Sequence, residues 1–204
     1  MRIALFGGTR GVGRQVLERA VEQGFGVKAL ARSPQSIPET AGVEVVEGNV
    51  LDAGAVFRTV AGCDLVVITL GKTKGNPDTV VSSGTDIILQ VMQKLGLNRV
   101  IAVSSLGVGD SKDCVPSFFK LLMKTVLKKT MLDKERQEEL LRASTADWTI
   151  IRPGSLFDGE RSDTAGTGTG LDVVASRVSR ADVAELVLQE VENPIYLKQT
   201  VWIT

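Results

Sequence analysis

Ile3-Ala4-Leu5-Phe6-Gly7-Gly8-Thr9-Arg10-Gly11-Val12-Gly13-Arg14-Gln15-Val16-Leu17 is the stretch whose reading decides the fold. Its four apolar residues predict a buried strand, its glycines a tight turn, and the spacing of Val12, Val16, Leu17, Ala20 and Val21 an amphipathic helix. The first N–H groups of a helix have no internal acceptor, and the helix dipole favours negative charge there, so strand, turn and helix start together form an anion site. A pyrophosphate matches that site. Gly7 permits the tight turn, Gly11 lets the backbone approach phosphate, and Gly13 lets the helix pack closely on the strand. Such a glycine set also occurs as a plain turn in other α/β proteins; here a second strand, Val27 to Ala31, follows, which favours dinucleotide binding.

The end of that second strand bears on which dinucleotide. An NAD site offers an acid there for the ribose 2′-hydroxyl, whereas a 2′-phosphate needs cations. The chain reads Leu30-Ala31-Arg32-Ser33-Pro34. Arg32 occupies the acid's place, with Arg10 in the turn able to face it, so NADP(H) is the expected cofactor. The alternative is that both arginines are solvated surface charges.

Working outward, Val43 to Glu47 reads as a third strand, followed by Asn49 and Val50 at its carboxyl end, where open α/β sheets bind ligands. Asp52 is placed to cap a helix over Ala53 to Val60. Asp64 to Leu70 is an apolar strand running into Gly71-Lys72-Thr73-Lys74-Gly75-Asn76-Pro77, a glycine-containing loop expected to pass the cleft, with Lys72 either assisting a phosphate or, like Lys74, merely solvated. A helix from Thr79 to Leu95 ends at Gly96, and Arg99 to Val103 is a fifth strand ending in Ser104-Ser105. Those hydroxyls either meet substrate and nicotinamide or cap nearby backbone.

Ser117 to Ala143 is the longest helical stretch, with Lys120, Lys124 and Lys128 four apart. It either touches a membrane surface or a protein partner or, more simply, is a core-facing helix with a solvated lysine stripe. The dense charge from Asp133 to Glu139 suggests that a second helix begins there. Trp148 to Ile151 is a sixth strand, Asp158 to Gly170 a polar, glycine-rich and mobile loop, Arg180 the start of a last helix, and Gln199 to Ile203 a last strand. Strands alternating with helices predict one α/β domain over residues 1–204, a Rossmann fold with a doubly wound, mostly parallel sheet.

Composition narrows the partners. Among 204 residues, 24 basic and 24 acidic side chains balance, which leaves no overall field for nucleic acid. Cys63 and Cys114 stand in no metal or redox spacing and are expected as free thiols. No apolar run approaches the roughly 20 residues of a membrane span, and the glycine turn begins too early for a leader to precede it, so a soluble cytoplasmic protein is expected. Metal binding is not expected.

The motifs together resemble the atypical short-chain dehydrogenases of the NmrA-like and flavin reductase/biliverdin reductase B group. The resemblance is carried by Gly7 to Gly13, Gly48-Asn49-Val50-Leu51-Asp52, Val103-Ser104-Ser105, Lys134 with Glu138 and Leu141-Arg142, Trp148 to Gly154, and Arg180 to Ala184. It implies that Thr9, Arg10, Gly11 and Val12 hold the pyrophosphate, Arg32 the 2′-phosphate, Asn49 and Val50 the adenine, and Leu70 and Gly71 the adjoining ribose. It further implies that Ser104, Lys134 and the Pro153-Gly154-Ser155-Leu156 segment lie near nicotinamide, with Ser104 and Lys134 as catalytic candidates.

The chain departs from the family pattern at three places. Arg10 replaces a frequent Gly, Asn49 replaces a usual Asp, and the Tyr of a Tyr-x-x-x-Lys pair is missing, because Thr130 stands four before Lys134. The chain has no histidine, and its single tyrosine is Tyr196. Hydride transfer needs mainly position, and flavins, quinones and linear tetrapyrroles can take a hydride with the proton arriving from solvent, so the missing tyrosine does not forbid it. The expected activity is therefore an NADPH-dependent reductase of a small conjugated acceptor; a non-catalytic NADP(H) sensor or scaffold of NmrA type is the alternative.

Overall fold

The computed structural model describes residues 1–73, 75–162 and 164–204; Lys74, Asp163 and the side chain of Lys124 lie outside the described residues. The first strand, β1 (Arg2–Phe6), is central: it pairs in parallel with β2 (Gly26–Ala31) on one side and β4 (Leu65–Ile68) on the other. With β3 (Val43–Glu47), β5 (Arg99–Val103), β6 (Asp147–Pro153), β8 (Thr167–Gly168) and β10 (Gln199–Ile203) the sheet has the order β3-β2-β1-β4-β5-β6-β10-β8. All pairings but β8–β10 are parallel.

Successive side chains of β1 alternate between two cores. Ile3 and Leu5 meet Val16 and Leu17 of α1 (Gly11–Glu22) and Val183 and Val187 of α6 (Arg180–Glu192). Ala4 and Phe6 face the other way, toward Val56 of α2 (Ala53–Val60), Ile88 and Met92 of α3 (Val80–Leu95) and Leu141 of α5 (Lys128–Ala143). A strand covered on both faces must be apolar throughout, which is why no alternation marks it in the sequence. The chain turns outward in opposite directions from β1 and β4, and that reversal of strand order opens a crevice at their carboxyl ends.

The expected caps are present. Asp52 Oδ1 accepts from Gly54 N at 2.8 Å, and α3 closes on Gly96 with φ of 69°. Cys63 and Cys114 are free thiols. Among the described residues no helix is long and apolar enough to cross a membrane, and no cluster of potential metal ligands occurs.

Three expectations are corrected. The long helix from Ser117 is two helices, α4 (Ser117–Lys124) and α5, and the break precedes the dense charge rather than coinciding with it. At the break Thr125 leaves helical geometry (φ −114°, ψ −89°), its hydroxyl donating back to the Leu121 carbonyl at 2.9 Å, a local bond that competes with the helix ladder. Lys120 and Lys128 thus sit on different helices and do not form one stripe, and Lys120 is paired with Asp113 at 2.7 Å. The segment Asp158–Gly170, expected as loop, contains β8, where Gly168 lies so close to Trp202 that a Cβ would come within 2.5 Å of the indole. Two short strands, β7 (Ser155–Phe157) and β9 (Arg177–Ser179), pair in parallel beside the crevice and had no sequence signal strong enough to mark them.

Candidate functional site: a dinucleotide cleft

The glycine turn has the geometry of a phosphate cradle. Gly7 adopts φ of 99°, and a Cβ there would lie 2.7 Å from the Thr69 carbonyl oxygen. A Cβ on Gly13 would lie 2.3 Å from the Gly7 carbonyl oxygen, so only glycine lets α1 approach the end of β1 this closely. Arg10 precedes the helix in extended conformation and its side chain makes no cap, which leaves the first N–H groups of α1 pointing into the crevice without a side-chain acceptor. An uncapped N-terminus behind a glycine cradle suits an anion such as pyrophosphate.

The crevice is a cleft of about 430 Å³. It gathers Gly7, Thr9, Arg10, Gly11, Val12, Arg32, Asn49, Val50, Leu70, Gly71, Ser104, Lys134, Pro153, Gly154 and Leu156 on its walls. Ser155 instead lines a small neighbouring pocket with Ser105, Leu106 and Phe119. At the far end Arg32 stands where an acid would bind an unmodified ribose. Asn49 turns its carboxamide oxygen back to accept from Leu51 N at 3.1 Å, which leaves its amide nitrogen as the group available to a base.

The opposite end is electrostatically organised by α5. Lys134, Glu138 and Arg142 are four apart and share one helix face. Lys134 Nζ donates to the carbonyl oxygens of Val103 (3.0 Å) and Ser104 (3.3 Å). Burial pushes its pKa down to about 8, only partly opposed by the charges of Glu138 and Asp133. Asp133, itself buried, accepts from Val81 N and Ser82 N at 2.9 Å each and so caps α3 from a neighbouring element.

Glu138 is the hub of a buried network. Its carboxylate accepts from Ser104 Oγ (2.5 Å), from Arg152 Nε (3.0 Å) and Nη2 (2.6 Å), and from Arg142 Nη2 (2.9 Å). Arg152 continues to Asp110 at 2.6 Å. Burial alone would lower the Arg152 pKa, but the hydrogen bonds and charge of Glu138 and then Asp110 outweigh it and hold the pKa above its usual value. Because the Ser104 hydrogen goes to Glu138, Ser104 Oγ presents lone pairs to the cleft. Ser105 Oγ bonds the Leu106 carbonyl at 3.1 Å, the plainer of its two expected roles.

Thr73 and Asn76, in the loop expected to pass the cleft, do line it, while Arg180 on the cleft wall and Arg152 behind it were not foreseen. For Arg152 a signal existed, a charged residue ending an apolar strand run; for Arg180, only its place at the start of α6. Tyr196 is not a cleft residue, its hydroxyl meeting Thr167 Oγ1 at 3.3 Å.

A family model described as NAD(P)H-binding matches residues 7–194. The uncharacterised protein YwnB of Bacillus subtilis is 26% identical over 95% of this chain and 93% of its own length. The solved structure of ChuY, an anaerobilin reductase from Escherichia coli O157:H7, superposes with a TM-score of 0.87 at 27% identity, covering 100% of this chain and 96% of that one. A short-chain dehydrogenase/reductase of Veillonella parvula in complex with NADP gives a TM-score of 0.84 over 99% of this chain and 93% of its own, at 15% identity, a likeness of fold alone.

Proposed function

This chain belongs to the NAD(P)H-binding family, and from that premise we propose that it is an NADPH-dependent reductase delivering hydride to a conjugated acceptor such as a flavin, quinone or tetrapyrrole. The observation that carries the reading is the union in one cleft of an uncapped, glycine-cradled helix N-terminus with a half-buried lysine ammonium at the opposite wall. The first feature holds a dinucleotide; the second holds a proton.

When bound, the reduced nicotinamide supplies a hydride, and the acceptor then needs one further proton. The α1 N-terminus with Thr9, Gly11 and Val12 holds the pyrophosphate, and Arg32 with Arg10 meets the 2′-phosphate. Asn49, Val50, Leu70 and Gly71 flank the adenosine half. Pro153, Gly154 and Leu156 bound the reacting end and exclude water, with Ser155 behind them. Ser104 Oγ, its hydrogen committed to Glu138, accepts an N–H from the nicotinamide side. Lys134 Nζ carries the proton that the missing tyrosine would otherwise hold. ChuY, named as an anaerobilin reductase, is consistent with a conjugated acceptor of this kind.

The test is the loss of NADPH absorbance on mixing the protein with FMN, a quinone or biliverdin. Turnover above the protein-free rate with at least one acceptor is the expected result. Binding of NADPH without turnover of any acceptor would replace the reductase by a nucleotide-sensing or scaffold role. The cofactor assignment has its own check. Arg32→Ala is expected to weaken NADPH binding by about 10- to 30-fold, the worth of a charge-assisted contact, and to leave NADH binding unchanged.

A further inference from the structure

After β4, the described residues 71–73 and 75–78 lie along the adenosine end of the cleft as a strap, tied to both candidate phosphate-binding arginines. Arg10 Nη2 donates to the Lys72 carbonyl at 3.3 Å. Arg32 donates twice, from Nη1 to Asn76 Oδ1 at 3.1 Å and from Nη2 to Thr73 Oγ1 at 3.0 Å. Asn76 Nδ2 in turn donates to Thr73 Oγ1 at 2.8 Å. Thr73 and Asn76 both line the cleft. The strap is anchored at its far end, where Asp78 pairs with Lys72 and with Lys129 of α5, and where Asp133 caps the start of α3.

Counting donors and acceptors gives these bonds a direction. A guanidinium has five N–H groups in one plane, and two are held by the strap, so three stay available in a fixed orientation. Thr73 Oγ1 has two lone pairs, and both are taken, by Arg32 and by Asn76. Its own hydrogen must therefore point away from them, and Thr73 is part of the cleft wall. A flexible arginine would lose its rotamer freedom on meeting a ligand; this one is ordered beforehand.

We infer that Thr73 and Asn76 set the preference for a dinucleotide phosphorylated on its adenosine ribose, Asn76 by fixing the plane of Arg32 and Thr73 by donating its hydroxyl hydrogen to the phosphate. The inference rests on the reading above that Arg32 meets the 2′-phosphate. It extends the specificity site from the end of β2, where sequence motifs place it, to a strap more than forty residues further along the chain.

The test is titration of the purified protein with NADPH and NADH, followed by calorimetry or nucleotide fluorescence and independent of any acceptor. Asn76→Asp puts a carboxylate against Arg32, where it neutralises the guanidinium and repels a dianion; NADPH affinity is expected to fall about 10-fold or more with NADH affinity kept within about twofold. Thr73→Val keeps the shape and removes the hydroxyl, lowering NADPH affinity about 3- to 10-fold, while Thr73→Ser retains the parental value. Parental NADPH/NADH ratios in both Asn76→Asp and Thr73→Val would overturn the inference. Equal affinity of the parent for the two nucleotides, with no effect of Arg32→Ala, would instead remove the phosphate reading beneath it.

Discussion

Lys134→Met is expected to cut turnover about 100- to 1,000-fold, the range of a positioned general acid, while NADPH affinity changes only a few-fold. Two of the three ammonium hydrogens of Lys134 go to the carbonyl oxygens of Val103 and Ser104, and the third is free to face the cleft. An ordinary lysine at 10.5 is too weak an acid to release its proton readily. Burial brings this one to about 8, still mostly protonated at pH 7 but a far better donor. Turnover should be level below pH 8 and fall about tenfold per unit above it, as the ammonium empties. The stability consequence has the opposite sense. A lysine whose folded pKa lies below its unfolded value costs the fold stability while it is charged, because the unfolded chain binds the proton more tightly. The drop from 10.5 to about 8 corresponds to a cost on the order of 3 kcal/mol at neutral pH, relieved as pH rises from about 8 toward 10.5. Methionine removes the charge and keeps the length, so Lys134→Met should match or exceed the parent in urea midpoint at pH 7. Turnover unchanged in that variant, or a rate profile without an inflection near pH 8, would exclude Lys134 as the proton donor.

The two ends of this cleft differ in how much of them could be read from sequence. The cradle was legible because its requirements are local: Gly7, Gly11 and Gly13 satisfy turn, approach and packing within seven residues, and the order of apolar strands does the rest. Arg32 was legible because the place of the ribose-binding residue at the end of the second strand is fixed by the fold. The strap's passage along the cleft was legible but its ties to Arg32 were not, since Thr73 and Asn76 gain those partners only when the sheet carries them over to Arg32. The division of the helix after Lys124 was hidden for another reason: Thr125 and Val126 are poor but tolerable helix residues, and neither glycine nor proline marks the point where Thr125 turns its hydroxyl back to Leu121 and leaves helical geometry. The strands β7, β8 and β9 have at most three residues each, too few for any periodicity to show.

The Glu138 network is where the candidate chemistry and the fold share the same atoms, and Glu138→Gln is expected to cost about 3–5 kcal/mol of stability. Glu138 is 0% exposed and Arg152 3%, so neither can turn to water if its partner is lost. The carboxylate accepts four hydrogen bonds, three from arginines. A carboxamide of the same shape has one accepting oxygen, and its NH2 group must face at least one guanidinium, donor against donor. Arg152 would remain charged and buried with only Asp110 beside it, which is the situation that makes breaking a buried pair so costly. The damage should reach the cleft as well, because the Ser104 hydroxyl would lose its fixed acceptor and no longer present only lone pairs. Urea unfolding of Glu138→Gln measures the first effect. A double variant, Glu138→Leu with Arg152→Met, separates net charge burial from packing: removing both ions should recover at least half of the lost stability, since a matched apolar pair is often no worse than a buried ion pair. Recovery of stability without recovery of turnover would show that the network holds Ser104 for the reaction rather than the sheet for folding. A Glu138→Gln protein as stable as the parent would mean that Arg152 finds another partner, and that Ser104 is not held in the way its 2.5 Å bond implies.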